Sequence, residues 1–190
     1  MQQRYLSFAL FERDGILGRS LEGVDRPALY KAVRAGLKNE DGRARGSIGS
    51  VYRRLSLAEI QPLLPAIHEA IVQPAPSGEM FADGIRVEGL RVLARNRIDE
   101  GLAACVDYAR RQNPWSSENR TPELMEVVRM YGAHGKRVLP QLRALATYFA
   151  DEEKDFPRHL GQKKAACVRE TIAAVEAATE MPELRKLGGK

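Results

Sequence analysis

Apolar positions along this chain recur at helical spacing, and one arrangement of them returns about every forty residues. Leu57, Leu64 and Ile67 are followed forty-one residues on by Ile98, Cys105 and Tyr108, and forty residues further by Val138, Leu145 and Tyr148. Each trio has the spacing i, i+7, i+10, one face of a 3.6-residue helix. Each follows another segment with its own apolar stripe. A period of this length fits helical hairpins that bury their stripes by stacking on one another.

The boundaries of the elements come from caps and breakers. Asp25 and Pro27 open a helix whose face is Ala28, Leu29, Ala32, Val33 and Leu37, and Asn39, Asp41 and Gly42 stop it. A second helix is expected over 42–55, with Ala44, Ile48, Val51, Tyr52 and Leu55 inward and three glycines weakening it. The next covers 57–73, its start pushed towards Gln61 by Pro62 and Pro65. QPAPSG at 73–78 is a connector. Helices follow at 80–95 and 97–112, then a loop at 113–122 and a helix capped by Thr121 with Pro122 first. Gly132 and Gly135 end that helix, and another spans 137–151. DEEKD at 151–155 is expected to be solvated, a last helix runs from Pro157 to about 179, and MPELRKLGGK is expected to fray. The sum is an all-α chain of about eight helices in roughly four hairpins. Residues 1–24 form an atypical cap or the edge of a larger domain, 25–179 the helical-repeat domain, and 180–190 a tail.

Composition agrees: aromatics are 6% of 190 residues, and mean hydropathy is −0.38. No apolar run reaches the roughly 20 residues that span a bilayer, and the start lacks a secretion signal. That places the chain in the cytoplasm by default, unless it is a fragment of something longer. Thirty basic against 25 acidic residues give +5, an excess that permits an anionic partner without requiring one. Cys105 and Cys167 sit in apolar stripes and read as buried small hydrophobes. No Cys/His spacing suits zinc, and no cofactor is implied.

The periodic stretch 25–179 resembles HEAT or armadillo repeats, which implies an α-solenoid with a long surface and no built-in chemistry. SLEGVDRPALYKAVRAGLKNEDGRARGS at 20–47 and GEMFADGIRVEGL at 78–90 are similar to helical-repeat portions of large uncharacterised bacterial multidomain proteins. Neither resemblance carries over a catalytic residue. Alkylpurine DNA glycosylases share the HEAT-like plan, but they grip DNA on a basic concave face. The second helix of each pair here carries mixed charge, so that activity is not transferred.

Three function classes follow. The first is a non-catalytic binding or scaffolding module for a protein partner, using loop residue Trp115 with Arg110, Arg111 and Arg143; covering the apolar edge between two hairpins is the equal alternative for that tryptophan. The second is a nucleic-acid module that neutralises phosphates with Arg43, Arg45, Arg53, Arg54, Arg91 and Arg95. The third is an accessory domain of a larger enzyme, with Glu79 and Asp83, four apart, as its acidic pair. Ordinary charge–dipole stabilisation of the first turn, with Asp83 paired to Arg86, is the alternative for those carboxylates. GRARGSIG at 42–49 lacks the lysine and the preceding strand of a phosphate loop. Its glycines fit close helix packing.

Overall fold

The computed structural model describes residues 2–12, 14–154 and 156–188. Among these the chain is all-helical; extended pairing is limited to two isolated bridges. The chain divides into two compact units, residues 1–92 and 93–190.

In the first unit, α1 (Gln2–Phe11) and α2 (Ile16–Arg19) precede the periodic region. Phe11 and Leu21 are buried there, while Tyr5, Leu6, Phe8 and Ile16 face solvent. α3 (Arg26–Leu37) starts where Asp25 accepts the Ala28 N–H at 3.2 Å, with Pro27 in the first turn. Leu29, Val33 and Leu37 make its buried stripe; Ala28 and Ala32 are outside it. The expected helix over 42–55 is instead α4 (Gly42–Ser47) and α5 (Gly49–Tyr52). Close approach explains the glycines: a Cβ on Gly46 would lie 2.3 Å from the Phe81 carbonyl oxygen, and one on Gly42 2.1 Å from that of Gly78.

The helix expected over 57–73 is also divided. Ser56 and Glu59 form a capping box, so α6 (Leu57–Ile60) starts earlier than the prolines imply. The two prolines remove N–H donors, and a 3-10 turn (Gln61–Leu63) carries the chain into α7 (Leu64–Val72). Leu57 is therefore a first-turn residue and 58% exposed, so the first trio loses one of its three core positions.

The free carbonyls at the end of α7 are collected by two buried arginines. Arg45 donates to Ala70, Gln73 and Pro74 and also to Asn39, and Arg86 donates to Gln73 at 3.1 Å. Guanidinium groups suit this place, because helix C-termini present unsatisfied carbonyls and partial negative charge. After a 3-10 turn, α8 (Asp83–Arg95) carries Arg86, and the unit boundary falls within it.

The second unit contains α9 (Glu100–Arg111), α10 (Ser117–Arg129), a 3-10 segment (Gly132–Val138), α11 (Leu139–Thr147), a π-helical turn (Tyr148–Glu152) and α12 (Arg158–Ala177). α12 packs on both α10 and α11 and closes the core. Ile98, Cys105, Tyr108, Val138 and Leu145 are all in that core, whereas Tyr148 is half-buried. α10 begins four residues before the expected Thr121 cap. Thr121 is buried and accepts from the Gln112 amide at 3.3 Å, and Pro122 lies inside the helix.

Two further expectations change. Within 151–155, Glu153 is not solvated: its carboxylate contacts the buried Lys164 ammonium at 2.5 Å. The segment after α12 does not fray through residue 188. Arg185 forms a bridge with Ile98, and Lys186 pairs with Asp99 at 2.7 Å.

Candidate partner-binding site

Three of the candidate residues lie on the end of α9 and the turn that leads into α10. Arg110 and Arg111 are in the last turn of α9, where positive charge suits the helix dipole. The chain then turns sharply. Gln112 is extended, Ser116 takes the left-handed conformation at φ 60°, and α10 begins. Arg120 pins this turn from inside, donating to the carbonyls of Asn113 at 2.7 Å and Trp115 at 2.8 Å and to the Gln112 side chain at 3.2 Å. The Trp115 N–H is bonded to the Asn113 side chain at 2.9 Å.

The result is an indole held on an ordered turn and 67% exposed. Few of its backbone torsions are left to freeze on binding, which lowers the entropic cost of association. At the end of α9, the Arg110 guanidinium lies 3.4 Å from the centroid of the Tyr148 ring and 3.9 Å from Glu152. Stacking on the ring face holds the cation in place. Arg111 is exposed, with its guanidinium 5.9 Å from the Tyr108 ring centre. Arg143 belongs to α11, where Glu176 of α12 engages it at 2.6 Å. Arg110 and Arg111 thus precede Trp115 by five and four residues on one chain reversal, while Arg143 sits in a separate ion pair.

The six arginines of the nucleic-acid reading have different situations. Arg45 is 3% exposed and committed to carbonyls, so it presents no cation to a phosphate. Burial lowers its pKa, with the neighbouring Arg86 adding to that. Arg43 stacks 3.9 Å over the Phe81 ring. Arg53 and Arg91 both approach Glu88, at 3.9 and 3.1 Å. Arg54 and Arg95 are exposed. Arg53 and Arg54 flank a cleft of about 420 Å³ floored by Gly46, Gly49 and Gly84, with Glu12 and Glu88 also on its walls.

Glu79 and Asp83 do come together, but around Arg86. Glu79 is 2.7 Å from that guanidinium and Asp83 is 3.9 Å from it. Glu79 also accepts the Ala75 N–H. Arg86 is 1% exposed, so the two carboxylates compensate a buried cation. That is the ion-pair alternative.

The thiols of Cys105 and Cys167 are free; Cys105 is buried and bonded to the Leu124 carbonyl at 3.4 Å, and burial pushes its pKa up. Among the described residues no group of three or more His, Cys, Asp or Glu side chains is placed to hold a metal ion. Among them, too, no helix is long and apolar enough to cross a membrane.

Sequence reasoning missed a charged centre in the second unit. Lys164 is 1% exposed and lies between Glu153, the Ser117 hydroxyl at 2.8 Å, and the rings of Phe149 and Phe156, each 4.2 Å away. Burial lowers its pKa, partly offset by Glu153. Ser117 is wholly buried, so this serine–lysine contact offers no nucleophile to a substrate. Aromatic residues bracketing the acidic run were the available signal.

No family model, no curated protein and no solved structure matches the chain.

Proposed function

We propose that the chain is a non-catalytic binding or scaffolding module of HEAT-like helical-repeat type that takes a protein partner at the turn between α9 and α10. One observation carries the reading: an indole 67% exposed on a turn whose carbonyls are bonded to Arg120. Large aromatics and arginines dominate the energetics of protein interfaces, and here Arg110 and Arg111 lie five and four residues before the aromatic. The helical-repeat part rests on the forty-residue recurrence, whose second and third trios supply five buried residues. Its mechanism is shape and charge complementarity, with Trp115 entering a pocket on the partner.

Trp115 is the sole tryptophan, so its emission reports its own surroundings. A photo-crosslinker at residue 111 identifies the partner, and the two purified proteins are then titrated. Binding should shift the emission to the blue, and Trp115→Ala should weaken it by about 30-fold, the scale of an interface hot spot. Unchanged affinity in Trp115→Ala sinks the reading. Short duplex and single-stranded DNA and RNA, titrated across a salt series, test the rival: tight binding that falls steeply with salt moves the function to the arginines.

A further inference from the structure

The segment after α12 runs extended along the second unit, against the start of α9 and the 3-10 segment Gly132–Val138. Its main chain is paired at both ends. The Arg185 N–H donates to the Arg97 carbonyl at 2.8 Å, and the Asp99 N–H donates to the Arg185 carbonyl at 2.9 Å. The Leu187 N–H donates to both oxygens of Glu100, at 3.1 and 3.2 Å. Upstream, the Ala133 N–H donates to the Glu180 carbonyl at 2.7 Å. Nε2 of His134 lies 2.8 Å from the Pro182 carbonyl, which makes that nitrogen the donor.

Side chains add charge to this pairing. The Arg185 guanidinium donates to the Asn96 carbonyl at 2.8 Å. Lys186 is 2.7 Å from Asp99, which Arg137 engages from the other side. Hydrogen bonds from these two cations hold the Asp99 carboxyl below its ordinary pKa.

The receiving surface is shaped for an extended chain. Arg97 takes φ 58°, a conformation non-glycine residues seldom adopt, and its carbonyl accepts Arg185 there. Gly132 takes φ 55°, and a Cβ on it would lie 2.4 Å from the Glu180 carbonyl oxygen. The bound segment, by contrast, has no deep anchor. None of residues 178–188 is buried, and Met181 and the Lys186 side chain are 67% and 69% exposed. Backbone hydrogen bonds and surface ion pairs of this kind are individually weak, because each replaces a bond to water. Main-chain pairing plus a few side-chain contacts is how grooves bind extended peptides in general.

We propose that the groove between Asn96–Glu100 and Gly132–Arg137 is a recognition site for an extended segment of a partner protein that carries an Arg-Lys pair, and that residues 180–187 are its intramolecular occupant. The ligand is an extended stretch with a free carbonyl to meet His134 and, beyond it, an Arg-Lys pair to meet Asn96 and Asp99. The partner's segment binds in competition with this chain's own. The inference does not rest on the Trp115 reading.

The probe is a fluorescein-labelled peptide, TEMPELRKLG, residues 179–188. It is titrated into the unaltered full chain and into the full chain carrying Arg185→Glu with Lys186→Glu, whose own segment is repelled by Asp99 and Glu100. A short tether gives the intramolecular segment an effective concentration near the millimolar range. The released variant should therefore bind the peptide at least about 10-fold more tightly than the unaltered chain. Adding Asp99→Lys should abolish that binding. Equal binding to the two chains, or none to the released variant, overturns the proposal, provided circular dichroism shows both folded. Hydrogen exchange on the unaltered chain keeps the test open if a variant unfolds. The Arg185 and Leu187 amides should exchange at least about 100-fold faster than that of Val168. Exchange of all three at one rate would show a segment fixed to the core and also overturns it.

Discussion

Gly101, the second residue of α9, faces two neighbours at once: a Cβ there would lie 2.3 Å from the Tyr131 hydroxyl and 2.8 Å from Leu93 Cβ. The Tyr131 hydroxyl is itself engaged, donating to the Ile98 carbonyl at 2.9 Å. Gly101→Ala therefore has to displace a buried aromatic and break its hydrogen bond. The helix gains about 1 kcal/mol of propensity from alanine, but overpacking costs about 1–3 and a lost buried bond adds to that. The net expectation is destabilisation by about 2 kcal/mol, read from urea unfolding. Tyr52 presents the opposite case. Its hydroxyl is buried and finds no hydrogen-bond acceptor or donor among the described residues, and Glu88 lies close enough to oppose its ionisation. Tyr52→Phe removes the desolvated hydroxyl and leaves the ring, so it should stabilise the protein by about 1 kcal/mol. A loss in the same titration would mean that the hydroxyl has a partner.

At the scale of elements, the end of α7 depends on Arg86, whose charge is compensated by Glu79 and Asp83 while its N–H groups cap Gln73. Arg86→Met keeps roughly the same volume, strands two carboxylates and removes one of the two arginines that donate to the Gln73 carbonyl. Removing one partner of a buried ionic group costs about 3–5 kcal/mol. Because Glu79 is half exposed and regains water, the lower end is expected, about 3 kcal/mol. Denaturation of Arg86→Met against Arg86→Met with Glu79→Gln should show the second change restoring part of the loss. Some of this was legible in the sequence and some was not, for physical reasons. α3 could be read because its signals are local: an Asp cap, a first-turn proline, and Leu29, Val33 and Leu37 at helical spacing. The stripe of α9 could be read for the same reason. Arg45 and Arg86 could not, since a buried arginine has the same letter as a solvated one until the carbonyls of another helix reach it. Glu153 was hidden similarly, in a run whose polarity argued for solvent, and so was its partner Lys164 on α12. The segment 180–187 was hidden because main-chain hydrogen bonds leave no side-chain pattern. At the candidate site, Trp115 and its two arginines were visible. Arg120, which orders their turn, was not.

At the scale of the whole molecule, each unit buries acids that must stay neutral, and this sets its response to alkali. Burial raises the pKa of Tyr52 in the first unit, and of Tyr131 and Cys105 in the second. A group whose value is higher in the folded state contributes stability that is full below its unfolded value. That contribution is lost as pH climbs towards the folded value. Unfolded thiols and phenols titrate near about 8.5 and 10, so the loss begins there and continues upward. Lys164 works in the other direction. Burial lowers its value, the unfolded chain then holds more protons, and its contribution rises with pH up to about 10.4. Burial raises the Cys167 thiol as well, so four buried or half-buried acids oppose one buried lysine, and the phenols go on titrating after the lysine has finished. The melting temperature should therefore fall between pH 9 and 11, most steeply above about 10. Trp115 fluorescence follows the second unit and far-ultraviolet circular dichroism follows both, so the loss can be assigned. Tyr131→Phe with Cys105→Ala should flatten the pH dependence of the fluorescence transition, and Tyr52→Phe should leave that slope unchanged. If the fluorescence transition of the double variant is as alkali-sensitive as that of the unaltered chain, other groups set the alkaline limit. The buried phenol and thiol are then spectators.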